Sequence, residues 1–263
     1  MPTQSSSRRA PATCAPALSA DAATPRRRTA VNHSELAYER IEELLVRCEL
    51  QPGRFLATHD LQLLVGFGRT PVLQAVNRMA ADTLMLVTPR HGIQIAPIDL
   101  TRERVLLSLR RDVERFVIRL ATQRSGASQR NQMQHIKRQL LERGVDMSID
   151  QFNLLDRRID QLLLAAANEP FVESTLRPLH TIFRRLGWIY HTQTSQEVDL
   201  HGTIEGHIAV IDAVASGDVS AAIAASDHLM EFVDGMFEAL EREVSPSLLD
   251  CSVDALDDAL LVG

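Results

Sequence analysis

The stretch Gly66-Phe67-Gly68-Arg69-Thr70-Pro71-Val72 decides the fold of the first third of the chain. Its two glycines favour a tight turn, because glycine reaches backbone conformations that are strained for other residues. Thr70 is a preferred N-cap residue, and proline suits the first position of a helix. The apolar residues that follow recur at helical spacing: Val72, Ala75, Val76, Met79 and Ala80. This stretch therefore predicts a turn that leads into a helix capped by Thr70.

The segments on either side of this turn complete a small domain. They are predicted to form a helix from Ser34 to the turn at 51–53, a short helix from Asp60 to Val65, and two strands, Leu84 to Thr88 and Ile93 to Ala96. Three helices followed by a two-stranded hairpin are typical of a winged helix-turn-helix. We therefore predict this fold for residues 33–98.

The remainder of the chain is predicted to be helical. Helix-breaking signals divide it at Ser125-Gly126, 144–148, Asn168-Glu169-Pro170, 192–195 and Gly217-Asp218. About six helices fit between these breaks, which indicates a C-terminal all-α bundle over residues 99–243. Residues 1–32 have the composition of a disordered basic arm, and residues 244–263 that of a loose acidic tail. The fold class is therefore predicted to be mainly α.

Composition argues for a cytoplasmic protein that avoids membranes. The sequence has no run of about 18 apolar residues and no secretory signal. Its three cysteines are far apart, which fits a reducing compartment. The net charge is −6, but residues 1–98 carry 11 basic against 8 acidic residues, whereas the rest carries 17 against 26. This asymmetry favours a nucleic-acid partner for the N-terminal part only.

The third predicted helix carries the residues expected to read DNA. In a helix-turn-helix, the second helix of the pair enters the major groove, and residues near its N-terminus reach base edges. The candidate DNA-binding residues are Arg69, Thr70, Gln74 and Asn77 on the helix and Arg90, His91 and Gly92 at the hairpin tip. Arginine pairs with guanine, and glutamine or asparagine with adenine. From the pattern alone, protein contacts made by the same turn and hairpin remain an alternative to double-stranded DNA.

Four residues of the helical part form a candidate metal site. Asp156 and Asp160 are four residues apart on one helix, so their carboxylates share a face. His207 and His228 lie at similar distances from the turn at Gly217, which predicts that they meet on facing helices. Imidazole and carboxylate groups suit zinc, nickel or manganese. Buried, hydrogen-bonded histidines and a solvated, ion-paired carboxylate face remain the alternatives to a divalent metal site.

A resemblance to a known family rests on three motifs. The stretch from Leu36 to Ile98 closely resembles the N-terminal domain of GntR-family regulators, on residues 50–53, 66–72 and 89–92. The resemblance implies DNA binding through Arg69, Thr70 and Gly92. This sequence departs from the family at Leu73, where an arginine that contacts DNA is common, and the departure implies an unusual operator.

The helical part resembles the FCD ligand-binding domain of the FadR-like subclass. The resemblance implies a metal held by Asp156, His207 and His228, with Asp160 in place of a family histidine. It also implies that Arg110, paired with Glu114, reaches an acidic effector, although a simple helix ion pair fits the spacing equally well. A dimer that binds a near-palindromic operator, and repression relieved by an organic acid, follow as expectations. His180, Arg184, Trp188 and His191 share a later helix, and the pattern assigns them no role.

Two other functions compete with this interpretation. A helical bundle with two aspartates and two histidines could activate water on an open metal position, as in a metal-dependent enzyme with an accessory DNA-binding domain. No nucleophile motif or phosphate loop supports catalysis, so we predict that the protein is not an enzyme. The other alternative is a structural DNA-binding protein that has no ligand.

Overall fold

The computed structural model describes residues 32–88, 92–144, 146–194 and 200–249. The basic arm expected at residues 1–32 therefore lies almost wholly outside the described residues, as do Arg90, His91 and the last part of the acidic tail. The N-terminal elements are α1 (His33–Val46), β1 (Phe55–Leu56), α2 (Thr58–Val65), α3 (Arg69–Ala81), β2 (Met85–Thr88) and β3 (Gly92–Ile95). They form a winged helix-turn-helix.

Helix α3 begins earlier than the sequence suggested. Its N-cap is Gly68, and Arg69 is its first residue, so the prediction of Thr70 as N-cap is wrong. Pro71 is tolerated because the backbone N–H groups of a first helical turn have no partner within the helix. The preceding turn is as expected: Gly66 ends α2 with a left-handed φ of 73°.

The wing contains a strand that the sequence did not reveal. Strand β1 pairs antiparallel with β3, and the sheet order is β1-β3-β2. Two residues are too few to show an alternating pattern, so β1 left no signal. At Gly92, where φ is +96°, a Cβ atom would lie 2.7 Å from the carbonyl oxygen of Leu56. The approach of β1 is therefore one reason for glycine at this position.

Six helices form the C-terminal bundle between residues 100 and 243 of the described chain, which confirms the predicted fold class. They are α4 (Leu100–Arg124), α5 (Ala127–Arg143), α6 (Ile149–Ala167), α7 (Pro170–Gln193), α8 (His201–Ser216) and α9 (Val219–Glu243). Helix α4 packs against α6 and α9, and α8 packs against α9. In the described part of the chain, none of these helices has the length and apolarity of a membrane span.

A short helix, α10 (Pro246–Leu249), follows the bundle. Val244 and Leu249 are buried, so the packed domain continues beyond the boundary expected at residue 243. The N-terminal domain packs on the bundle through α1, which lies against α7. This contact places the winged helix directly beside the part of the bundle that carries the candidate site.

Candidate functional site

The outer face of α3 is free for a partner. Arg69, Thr70, Gln74 and Asn77 are exposed, while Val72, Ala75, Val76 and Met79 on the opposite side are buried in the domain core. Leu73 is half-buried at the edge of the outer face. The helix therefore presents an arginine and two amide side chains together, which is the chemistry that reads base edges.

A cavity lies in the helical bundle and is lined by residues of five helices, α4, α6, α7, α8 and α9. Its polar wall comes from α4, α6, α7 and α8 and includes Arg110, Asn153, Asp156, Arg184, His191 and His207. Its apolar wall includes Phe152, Phe183, Leu229, Met230, Phe232 and Met236. All lining residues contributed by α9 are apolar.

Arg184 holds the two aspartates of the predicted metal site together. Its Nε donates to Asp156 Oδ2 at 2.8 Å, and one terminal nitrogen donates to Asp160 Oδ2 at 2.5 Å. The Arg184 side chain is only 5% exposed, and each aspartate side chain is 13% exposed. Because both carboxylates accept hydrogen bonds from one buried guanidinium, they are paired with a protein side chain rather than left free for a metal.

His207 is a charged partner of Asp156. Its Nδ1 faces the carbonyl oxygen of Thr203 at 2.7 Å, and its Nε2 faces Asp156 Oδ1 at 2.8 Å. The carbonyl oxygen of Thr203 and an ionised Asp156 can only accept hydrogen bonds, so both ring nitrogens of His207 carry a proton. Burial alone would lower the pKa of His207, but the hydrogen bond to Asp156 and the charge of that residue outweigh burial and raise it.

The pKa values of the two aspartates are shifted in opposite directions. Burial would raise the pKa of Asp156, but the charge of Arg184 and the hydrogen bond from His207 hold it well below its ordinary value. Burial, reinforced by the neighbouring charge of Asp156, raises the pKa of Asp160 to about 6. One carboxylate is therefore firmly ionised, and the other takes up a proton in mildly acidic solution.

The structure does not bring His228 to this cluster. Its side chain is 82% exposed, and its nearest acidic partner is Glu231, with Nδ1 and Oε2 3.7 Å apart. The count from Gly217 gave the height of His228 on α9, but the core-facing residues of that turn are Ser226, Leu229 and Met230. Position along a helix does not determine the face, so the expected meeting of His207 and His228 is wrong.

The donor set does not fit a metal ion. Within the described ranges, no group of three or more histidine, cysteine, aspartate or glutamate side chains is arranged to hold one. Asp156, Asp160 and His207 do lie together, but Arg184 donates to both carboxylates and His207 carries two protons. A metal would have to displace a buried guanidinium and an imidazole proton.

Arg110 lies in the cavity wall and is also paired. Its Nε donates to Glu114 Oε1 at 3.2 Å, and its guanidinium lies 5.2 Å from the centre of the Phe183 ring. His180 Nε2 is 2.8 Å from the same Glu114 oxygen. The ion pair with Glu114 is therefore present, Arg110 also lines the cavity, and its contact with an acidic effector stays a prediction.

Glu42 of α1 is a site residue that sequence reasoning missed. It is buried, accepts a hydrogen bond of 2.6 Å from Thr181 Oγ1, and pairs with Arg157 at 3.1 Å. Its Oε1 lies 3.6 Å from Nη1 of Arg184. The sequence does contain a signal for this residue: Glu42 lies beside Tyr38, Ile41 and Leu45 on the apolar stripe of α1. An acidic side chain buried there would be costly without a partner, so its position indicates one.

Comparison with known proteins identifies the class to which this arrangement belongs. Residues 105–232 match the FCD domain family. A winged helix-turn-helix joined to an FCD domain defines a transcriptional regulator rather than an enzyme. The chain is similar to GntR-family regulators of the FadR-like subclass, in which a winged helix-turn-helix precedes an FCD domain.

Two relatives span most of the chain. The HTH-type transcriptional repressor RspR of Escherichia coli strain K12 is 24% identical over 203 residues, which cover 76% of this chain and 86% of RspR. A regulator described as an HTH-type transcriptional regulator in unstable DNA locus, from Streptomyces ambofaciens, is 26% identical over 211 residues, covering 78% of this chain and 84% of that one.

Solved structures share the fold. E. coli McbR/YncC superimposes with a TM-score of 0.68 at 16% identity and covers 78% of this chain and 97% of its own. A GntR transcriptional regulator from Rhodococcus sp. RHA1 gives a TM-score of 0.56 at 17% identity, with coverage of 80% and 98%. At sequence identities of 16% and 17%, the similarity shows only that the fold is shared.

Proposed function

We propose that this regulator is a cytoplasmic repressor that binds a near-palindromic double-stranded DNA operator as a homodimer and is released by a small organic acid. The observation that carries the proposal is the position of Arg184, which lines the cavity of the helical domain and also faces Glu42 of the DNA-binding domain. The relative named as a repressor supports this sign of regulation. A ligand in the cavity can thereby act on the winged helix.

The coupling follows from the charges around Arg184. An acid that binds in the cavity competes with Glu42 for the Nη1 side of the guanidinium. Glu42 then relies on Thr181 and Arg157 alone, and the contact between α1 and the bundle weakens. Because a ligand shifts an equilibrium only through its different affinity for two states, this loss of contact is the difference that favours a second placement of the winged helix.

Contacts with DNA are proposed for Arg69, Thr70, Gln74 and Asn77 on α3, with Gly92 in the wing. Arg90 and His91 are proposed at the wing tip, outside the described residues. The positive end of the α3 dipole and the free N–H groups of its first turn favour a phosphate close to Arg69.

A dimer is favoured by an exposed apolar stripe on α4. Val105, Leu109 and Phe116 are 68%, 47% and 42% exposed and lie four and seven residues apart, so they line one side of the helix. We expect that Leu109→Glu combined with Phe116→Glu converts the dimer to a monomer in light scattering. Its affinity for a two-half-site operator should fall at least about tenfold, because one protomer alone contacts one half-site.

The operator for this measurement is selected from random DNA with the full chain. We expect an inverted repeat whose half-site centres are about one helical turn, roughly 10 base pairs, apart. Leu141→Glu is the matched control, because Leu141 is an exposed leucine on α5, outside the stripe. A double variant that remains dimeric would contradict this interface. Selection of a DNA site with a single half-site would contradict the proposal that a dimer binds the operator.

We infer that the site works without the divalent metal expected from the sequence. Protein purified without an affinity tag and without chelators should contain far less than one zinc, nickel or manganese ion per chain. His207→Ala should leave that content unchanged, because the native His207 donates to Asp156 and Thr203. Stoichiometric metal that disappears in His207→Ala would overturn this inference and restore the metal-site hypothesis.

A further inference from the structure

The wall between the bundle cavity and the DNA-binding domain is thin. A second cavity lies between α1 and α6 and includes Glu42, Val46 and Asp150 in its lining. Asn153 and Arg184 line both this cavity and the one inside the bundle. Two side chains therefore form the partition, and both carry N–H donors.

One of these donors has no acceptor. Nδ2 of Asn153 is buried and has no hydrogen-bond partner among the described residues. Nη1 of Arg184 lies 3.6 Å from Glu42, which is too far for a hydrogen bond. A buried donor without an acceptor is costly, so the partition is built to receive oxygen atoms from a bound molecule. A carboxylate supplies two acceptor oxygens, one for Nδ2 of Asn153 and one for Nη1 of Arg184, whose other nitrogens donate to Asp156 and Asp160.

The apolar wall of the cavity indicates the chemistry of the rest of that molecule. Helix α9 contributes Leu229, Met230, Phe232, Val233 and Met236 to the cavity, with no polar side chain among its lining residues. A polyhydroxylated acid would bury hydroxyl groups against this wall without partners. An aryl or alkyl body would gain contact with it instead.

We propose that the cavity binds a monocarboxylic acid with an apolar body, held without a metal by Asn153 and Arg184, with its body against α9. This inference rests on the proposed function, in which this cavity holds the effector, and names the chemical class of that effector. Asn153 favours ligands that place a hydrogen-bond acceptor next to it, and the apolar side chains of α9 disfavour ligands whose remaining part is polar.

Isothermal titration calorimetry of the full chain in EDTA tests the ligand class. The probes are phenylacetate and hexanoate, with phenylacetamide as the neutral isostere and gluconate as the polar acid. At least one of the two apolar acids should bind saturably below about 10 mM, and phenylacetamide and gluconate should each bind at least about tenfold more weakly. Equal binding of phenylacetamide, stronger binding of gluconate, a requirement for metal, or no saturable binding of either apolar acid would each overturn the proposal.

Two variants locate the carboxylate. Asn153→Asp places a negative charge at the partition and should weaken binding of the apolar acid by more than about tenfold, while Asn153→Leu removes the donor and should weaken it by a smaller factor. Asn131→Leu, an exposed asparagine on α5, is the control and should bind as the native chain does. Circular dichroism verifies that each variant is folded, and Asn153→Leu remains informative if Asn153→Asp does not fold. Native affinity in both Asn153 variants would contradict the assigned position.

Operator binding without any acid is measured in parallel, so the two proposals fail separately. A chain that binds its operator but none of the apolar acids retains the proposed regulatory function and loses this ligand class. A chain that binds phenylacetate but has no DNA site loses the proposed function, whatever the calorimetry shows.

Discussion

The full-length Arg69→Ala variant is expected to bind the selected operator about 100-fold more weakly than the native chain. Arg69 is the first residue of α3, is exposed, and is the arginine closest to the helix N-terminus. A guanidinium paired with a guanine contributes about 1–3 kcal/mol, and a dimer loses two such contacts at once. Fluorescence anisotropy at fixed ionic strength measures the change.

The control for this variant is Arg138→Ala, because Arg138 is an exposed arginine on α5 of the helical domain. It removes the same net charge without touching the winged helix, so its operator affinity should stay close to native. Equal losses in the two variants would mean that overall charge, rather than contact at α3, determines affinity. An unchanged affinity in Arg69→Ala would remove α3 from the proposed DNA interface.

The sequence predicted the parts of the fold that repeat over several helical turns. The stripe of Val72, Ala75, Val76 and Met79 indicated α3 correctly, because each residue on one side of a helix faces the same core. The glycine at residue 66 marked the end of α2 for a similar local reason. The first residue of α3 was not predictable with the same accuracy, since Gly68 and Thr70 can each serve as N-cap.

The candidate site was predictable only where its geometry is local. Asp156 and Asp160 share a face because they are four residues apart on one helix, and this holds in the structure. Their partner Arg184 comes from another helix, and Glu42 comes from another domain, so neither pairing follows from spacing. His228 shows the same limit. Its distance from the turn at Gly217 can be counted in the sequence, but the count does not tell that its side chain lies on the exposed face of α9.

Replacing Arg184 has the largest expected effect on stability. Arg184→Met keeps much of the side-chain volume but leaves Asp156, Asp160 and Glu42 without their shared cation. Breaking a buried ion pair by removing one partner costs about 3–5 kcal/mol, because an uncompensated charge stays buried. We expect a loss of this size at pH 7.5, measured as the free energy of unfolding in urea. Arg138→Met, on the exposed side of α5, is the control and should lose little.

The loss should be smaller at pH 5, and the pKa shifts give the sign. Because the native pKa of Asp156 is depressed, its pairing stabilises the native chain fully at every pH above the unfolded pKa of roughly 4. This stabilisation is lost as the pH falls below about 4 toward the lower native pKa. In Arg184→Met the same carboxyl no longer has that cation, so its pKa rises and acid neutralises the penalty. Asp160, with a native pKa of about 6, is already largely protonated at pH 5 and depends on Arg184 much less there.

The comparison of the two pH values separates charge from packing. A loss that is several-fold larger at pH 7.5 than at pH 5 assigns the effect to uncompensated carboxylates, as the geometry around Arg184 requires. A loss of equal size at both pH values would assign it to packing, since a cavity does not titrate. Arg184→Lys adds a further test: an ammonium cannot hold two carboxylates in the fork geometry of a guanidinium, so it should recover only part of the stability at pH 7.5.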